Sequence, residues 1–389
     1  MLKRIRIEDL QVGMIVAGLG CHEPPRSATA QGRTVSDQGV LDSIRQSGER
    51  EVWIDPDRGA DLAADAGSCG RTEMAVELEH AVALLRRARA GVEQIFISAR
   101  RYHTLELDRA QALTADIAAS VERNPGALIS LARLKSRGDY TPLHSIAVCA
   151  LMLGLARQLG LDPETGLEAG LGGLLHDIGK ALVPPELLDK PGRLSPAEFD
   201  QIRRHPVLGY ALLAEAGKLG PIPLEICLRH HERIDGSGYP QGRGGEALGL
   251  YARMSAVCDV YDATTSERPY HDSGQAADAI RMMAAGAGSQ FDERVFHAFV
   301  KTVGIYPVGS MVRLASQRLA VVVEQGESSL LTPKVRVFYD LRTKRRLSAD
   351  TLDLAAPGCE DRILARENAG NWRFGRLEEL WLEPATVAA

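Results

Sequence analysis

Apolar residues recur at three- and four-residue steps through Leu143, Ile146, Ala147, Ala150, Leu151 and Leu155, which predicts a deeply buried helix ending near Gly160. The same spacing continues at Ile226, Leu228, Tyr251, Met254, Val257 and Cys258, so residues from about Ala127 to Ile305 form the densest helical region. Within it, Ser195-Pro196-Ala197-Glu198 is a helix start, with a serine cap, a proline at the first helical position and a glutamate three residues after the cap. Upstream, a helical pattern runs from Glu73 to Arg101, interrupted at Gly91, and again from Leu105 to Arg123, where Asn124-Pro125-Gly126 ends it.

The two ends of the chain are patterned differently. Ile5 and Ile7 alternate with charged residues, Met14-Ile15-Val16 follows a turn at Gly13, and Val52-Trp53-Ile54 is a third strand candidate. Ser36 to Ser47 places Val40, Leu41 and Ile44 at helical spacing, which makes this end a small α+β module. Asp55 to Thr72 is built from Asp, Gly, Ala and Ser and reads as a linker. After Pro307 the period becomes two: Met311–Leu314, Leu319–Val323, Val335–Tyr339 and Arg346–Leu354 read as short strands, and from Ala365 on no element is specified. The expected architecture is mainly α: residues 1–125 as the N-terminal α+β module with its linker and helices, 126–307 as a helical bundle, and 308–389 as a small β appendage.

Composition narrows this picture. A length of 389 residues suits roughly two or three domains. A net charge of -5 gives no basic surface for duplex nucleic acid, and Arg86-Arg87-x-Arg89 reads as a solvated helix face. The first ten residues lack the apolar core of a signal peptide, and no apolar run approaches a membrane span, so the expected location is the cytoplasm. The six cysteines are scattered without a Cys-x-x-Cys pair, which argues against a disulfide framework and a thiolate zinc site; Cys149, Cys227 and Cys258 sit in apolar stretches as packing residues.

Candidate chemistry is concentrated in the bundle. His144, His176-Asp177, His205, His230-His231 and Asp259 follow one another at roughly 25 to 32 residues, about the length of a helical hairpin, so successive helices can each bring a donor to one point. A lone histidine on an apolar helix is ordinarily a satisfied core residue, whereas five joined by two aspartates in a series point to metal. Imidazole and carboxylate donors without thiolate suit iron, manganese, nickel, cobalt or zinc. Seven donors exceed what one catalytic ion takes, which favours two ions with a carboxylate such as Asp177 between them and a hydroxide held for in-line attack on phosphorus. His22, His80, His103 and His297 fall outside the series.

Four segments together carry a resemblance: His176-Asp177-Ile178-Gly179-Lys180, His205-Pro206, His230-His231-Glu232-Arg233-Ile234-Asp235-Gly236-Ser237-Gly238-Tyr239-Pro240, and Asp259 through Tyr270. In this order they resemble the HD-GYP family of the HD phosphohydrolase superfamily, over roughly 180 residues. Leu10-Gln11-Val12-Gly13-Met14 and Trp53-Ile54-Asp55-Pro56-Asp57-Arg58-Gly59 are similar, more weakly, to the domain of unknown function that often precedes HD-GYP domains.

The resemblance implies an HD-type bundle that hydrolyses cyclic di-GMP to pGpG, in some members onward to GMP. It implies that His144, His176, Asp177 and Asp259 hold one divalent ion and that Asp177 bridges to a second, completed by His205, His230 and His231. Iron is the first expectation, with manganese or another transition metal as the alternative. Catalysis would fall to Asp177 and Lys180, and Lys180, Gly238, Tyr239, Asp262 and Arg268 would meet the substrate. Lys180 and Arg268 suit phosphate, and Tyr239 suits stacking or hydrogen bonding to the nucleotide. Asp262, one turn after Asp259, could instead orient a ligand histidine, and Glu232 could either do the same or begin the turn.

Two positions depart from the family's fullest pattern. Tyr140 stands where members with a third metal carry a glutamate, which predicts a two-metal site, and His271 replaces a basic residue after Arg268. A rival expectation is a cyclic di-GMP-binding sensor or scaffold with negligible turnover; another is a hydrolase of a different cyclic dinucleotide. Further expected partners are signalling proteins at the N-terminal module and a second copy in a homodimer.

Overall fold

A computed structural model of the chain describes residues 3–7, 10, 15–19, 33–36, 38–45, 47, 51–54, 72–134, 140–265, 276–326, 329–372, 374 and 377–382. It divides into two compact units, Met1–Gly70 and Arg71–Ala389. In the first, β1 (Lys3–Arg6), β2 (Ile15–Leu19), β3 (Arg33–Thr34) and β4 (Glu51–Ile54) form an antiparallel sheet in the order β1-β4-β2-β3, with α1 (Gln38–Arg45) between β3 and β4 in sequence. Leu41 and Ile44 of α1 close a small core with Leu10, Val16, Val35 and Val52. The expected linker falls, up to residue 71, outside the described residues.

The second unit opens with α2 (Met74–Tyr102), α3 (Leu107–Arg123) and α4 (Pro125–Ala132). Helices α2 and α3 bury Leu78, Leu84, Ile95, Ile117 and Val121 in the same core as the central helices. The helix expected to break at Gly91 runs straight through it, since Gly91 is buried where a side chain would strike Leu113 of α3. Glu77, also buried, ties the two helices by accepting from Ser120 (2.7 Å) and Arg123 (2.7 and 2.9 Å). Asn124 ends α3 and also caps α4, its side chain accepting from Gly126 N at 3.1 Å.

The chain continues through α5 (Tyr140–Gln158), α6 (Pro163–Leu175), a 3₁₀ turn (Ile178–Leu182), α7 (Pro185–Leu188), α8 (Pro196–Ile202), α9 (His205–Glu215), α10 (Pro221–Arg229), α11 (Leu250–Thr265), α12 (Ala276–Ala284) and α13 (Glu293–Val303). Helix α5 is buried nearly throughout, as its apolar run requires, and residues such as Leu151 and Leu155 each contribute roughly 1.5–3 kcal/mol by burial. Helix α6 is held between α5 and α10 by adjacent glycines: a side chain at Gly173 would meet Cys149 Cα, and one at Gly172 would meet Ile226 and Pro223. This double contact fixes the end of α6, where His176 and Asp177 follow.

The serine start at residue 195 forms as expected. Ser195 Oγ accepts from Glu198 N (3.3 Å) and Ser195 N donates to Glu198 Oε2 (2.8 Å), closing a capping box on α8. Ser195→Ala is expected to cost about 1 kcal/mol, read as a lower denaturant midpoint.

At the C-terminal end, β5 (Met311–Leu314), β6 (Arg318–Glu324), β7 (Lys334–Asp340), β8 (Arg345–Asp353) and β9 (Ile363–Arg366) form an antiparallel sheet in the order β8-β7-β6-β5-β9. Its period-two pattern serves two cores: Met311, Leu319, Val321 and Phe338 join the helical core, while Val312, Leu314, Val322, Val335 and Val337 line the other face. No described helix is long and apolar enough to cross a membrane.

Candidate metal centre

The donors of the sequence series meet in the bundle interior. His144 comes from α5, His176 and Asp177 from the end of α6, His205 from the first residue of α9, His230 and His231 from the end of α10, and Asp259 from α11. They fall into two adjoining sets, Asp177 with His205, His230 and His231, and His144 with His176 and Asp259. Rings from the two sets touch, His176 and His230 having centroids 4.8 Å apart.

Local hydrogen bonds determine which nitrogen each histidine offers. His176 Nδ1 donates to Gly173 O (2.7 Å), His205 Nδ1 to Ile202 O (2.8 Å), and His230 Nδ1 to Cys227 O (3.0 Å). A carbonyl can only accept, so these Nδ1 atoms carry the protons and leave Nε2 as a lone pair. His144 Nδ1 pairs at 2.6 Å with Asp262 Oδ2, which has the same effect. The freed Nε2 atoms then face one another: His144 and His176 at 3.2 Å, His205 and His230 at 3.1 Å.

Lone pairs at that distance repel unless a cation lies between them. Two nitrogens bound about 2.1 Å from one ion at ordinary angles stand roughly 3.0–3.4 Å apart. The observed pairs fit that spacing.

Asp177 connects the two sets. Its Oδ1 lies 3.2 Å from His205 Nε2 and 3.7 Å from His230 Nε2, while its Oδ2 lies 3.3 Å from His176 Nε2 and 3.6 Å from His144 Nε2. Among the described residues Oδ1 has no hydrogen-bond donor although it is buried, as expected for an oxygen that faces a cation. Asp259 Oδ1 approaches His144 Nε2 at 3.1 Å, and its Oδ2 lies 3.7 Å from His231 Nδ1.

The electrostatics favour the ligand form at His230, His231, Asp177 and Asp259. Burial pushes His231 down to about 3 and His230 well below the usual imidazole range, so both stay neutral. At His176 burial opposes the charge of Asp177, and the charge prevails and raises it. Burial alone would raise Asp177 and Asp259, but Lys180 and His176 beside the first, and His144 beside the second, hold both carboxylates well below their ordinary range. This donor set is one that holds divalent metal ions.

The remaining expected residues are placed less uniformly. Lys180 Nζ pairs with Asp177 Oδ2 at 2.5 Å, with a quarter of its side chain exposed. Asp262 has no exposed surface, and its Oδ2 lies 2.6 Å from His144 Nδ1, a geometry that suits orienting a ligand histidine. Asp262→Asn is expected to weaken metal binding roughly 10- to 100-fold, measured by competition with a chelator.

Gly238 sits where a side chain would collide with the backbone of His231, Glu232 and Arg233, and Tyr239 N donates to His231 O at 3.2 Å. Glu232, buried, accepts from Gln241 N (2.7 Å) and Arg243 N (3.1 Å) and so pins the loop; among the described residues no hydrogen bond joins it to an imidazole. The Tyr239–Pro240 peptide is cis.

Arg268 and His271 lie outside the described residues, as does the side chain of Tyr140. His80 and His103 are exposed, and His297 lies on α13 beside Phe296, all apart from the centre. One contact was not anticipated: the Arg203 guanidinium lies 4.6 Å from the centroid of the Tyr239 ring. The only sequence signal for it is an arginine two residues ahead of His205.

A helical bundle whose helix ends deliver imidazoles and carboxylates to one buried point defines a metal-binding helical domain. Residues 107–295 match the family described as HD domain, and residues 2–110 match Domain of unknown function (DUF3391). The chain is 46% identical to Cyclic di-GMP phosphodiesterase PA4108 of Pseudomonas aeruginosa, over 98% of this chain and 96% of that protein. It is 38% identical to Cyclic di-GMP phosphodiesterase response regulator RpfG of Xanthomonas campestris, over 49% of this chain and 51% of that one. To 3'3'-cGAMP-specific phosphodiesterase 1 of Vibrio cholerae it is also 38% identical, over 43% and 38% of the two chains. The chain belongs to the HD-domain phosphodiesterase family and carries the DUF3391 domain ahead of the HD domain.

Proposed function

We propose that this protein hydrolyses cyclic di-GMP to linear pGpG, with two divalent ions, iron first among the candidates, held by His144, His176, Asp177 and Asp259 and by Asp177, His205, His230 and His231. The observation that carries the reading is the placement of Asp177, one oxygen toward each set of imidazoles. Near full-length similarity to a curated cyclic di-GMP phosphodiesterase supports the substrate. When bound, the ions supply a nucleophile from water at neutral pH and neutralise charge on the phosphodiester. Lys180, partly exposed beside Asp177, offers a cation to a phosphoryl oxygen as the P–O3′ bond breaks. In His144, His176, His205 and His230 the proton on Nδ1 faces an acceptor, so Nε2 is the nitrogen turned to the ligand position. Tyr140 in place of a carboxylate supports pGpG as the end product.

The test is anaerobic purification of the full chain, elemental analysis, and chromatography of products after loading with Fe(II) or Mn(II). About two metals per chain and accumulation of pGpG are expected. Tight cyclic di-GMP binding without pGpG would overturn the catalytic reading, and faster turnover of 3'3'-cGAMP in competition would overturn the substrate.

A further inference from the structure

We propose that Arg203 is a positioning residue of the metal centre: its guanidinium, laid on Tyr239, holds that ring against the imidazole of His231. The inference rests on the reading of His231 as a metal ligand. It begins from a difference among the five histidines. Four have a ring nitrogen fixed by a carbonyl or by Asp262, and their side chains are at most 1% exposed. His231 is 25% exposed, and among the described residues no hydrogen bond orients its ring.

Metal-binding imidazoles are ordinarily oriented by a partner on the second nitrogen. Stacking takes that place here. The Tyr239 ring lies on His231 with centroids 4.6 Å apart and planes 28° from parallel.

Tyr239 is itself held by Arg203, whose guanidinium carbon is 4.6 Å from the ring centroid. The phenol ring is thus in contact with a cation and an imidazole at the same time, each close enough to its centroid to orient it. Arg203 is set in place from its own side: the Phe199 ring is 5.8 Å away one turn earlier, and Asp200 lies 3.8 Å away. The residue caps the end of α8, two positions ahead of His205, whose ring meets His231 edge-on at 5.0 Å. Arg203, Tyr239, His231 and His205 therefore form a closed circuit that joins the α8–α9 junction to the loop after α10.

The inference is tested with Co(II) as probe on the full-length chain, following binding by titration and the visible absorption of the bound ion. Arg203→Ala is expected to weaken one of two Co(II) equivalents by roughly 10-fold or more and to change its absorption, with unfolding of the metal-free protein unchanged. Arg203→Lys, which keeps a cation over the ring, should recover part of the loss. Tyr239→Phe should bind Co(II) like the wild type, because it keeps the stack, and Tyr239→Ala should resemble Arg203→Ala. Wild-type Co(II) affinity and absorption in Arg203→Ala would overturn the proposal, as would a rise in KM alone, which would make Arg203 a substrate contact. If the wild type bound no Co(II), the metal reading beneath the proposal would fail first, a distinct result.

Discussion

Asp177→Asn is expected to remove most of the bound metal and to lower hydrolysis by about 10³-fold or more, a loss on the scale of several kcal/mol of transition-state stabilisation. The substitution conserves volume at a residue only 1% exposed, so the core does not collapse. What changes is the chemistry of the two oxygens. In the wild type Oδ1 faces His205 and His230, and Oδ2 faces His176 and His144. An asparagine amide can offer its oxygen to one side only, and its NH₂ group, which cannot ligate, must face the other. Either orientation leaves one set of imidazoles without an oxygen from this residue, and among the described residues the set of His205, His230 and His231 groups with no other carboxylate. Lys180 Nζ also loses the charge that holds it at 2.5 Å. Elemental analysis and single-turnover hydrolysis read the two effects, with circular dichroism confirming the fold. Retention of both metals in Asp177→Asn would mean that this carboxylate does not join the two sets.

The grouping of the candidate metal donors was legible because residue type and spacing both carry information. Imidazoles and carboxylates recur at hairpin length, and the bundle repeats at that length, so His144, His176, Asp177, His205, His230, His231 and Asp259 could be grouped before any geometry was known. Elements with a strong period, such as α5 and β5 to β7, were equally legible. The role of Glu232 was not, because it depends on backbone N–H groups nine and eleven residues later, and no spacing rule reports a contact to backbone. Helix α2 hid its continuity at Gly91 because a close approach to α3 suits glycine where propensity argues for a break. Strand β9 has only four residues and alternates between half-buried and exposed; it forms by pairing with β5 more than by burying a face. The packing of α2 and α3 was hidden for a related reason: they follow the linker in sequence, but their apolar faces belong to the large core. Tertiary contact decided each of these, and a single sequence does not encode tertiary contact locally.

Gly179→Ala is expected to be the most damaging small substitution near the centre, costing about 3 kcal/mol in the metal-free protein and carrying metal affinity down with it. Gly179 lies on the 3₁₀ turn that follows Asp177, and the turn crosses the start of α9. An added Cβ there would lie 1.9 Å from His205 O and 2.6 Å from Gly209 N. Both are backbone atoms, so no side-chain rotation relieves the clash and the turn and helix must move apart. Overpacking of a tight core typically costs 1–3 kcal/mol, occasionally more, and a backbone collision belongs at the upper end of that range. The neighbouring contact leaves no slack, because Gly209 packs in turn against Cys227 of α10, where a side chain would come within 2.7 Å of the sulfur. Displacement also reaches the chemistry: the turn follows directly on Asp177 and carries Lys180, and α9 begins with His205, whose Nε2 stands 3.2 Å from Asp177 Oδ1. Denaturant unfolding of the chelated protein measures the first effect, and metal titration of the folded variant measures the second. A wild-type midpoint together with wild-type metal affinity in Gly179→Ala would show that the turn and α9 do not touch in solution, and with that the placement of His205 beside Asp177 would have to be redrawn.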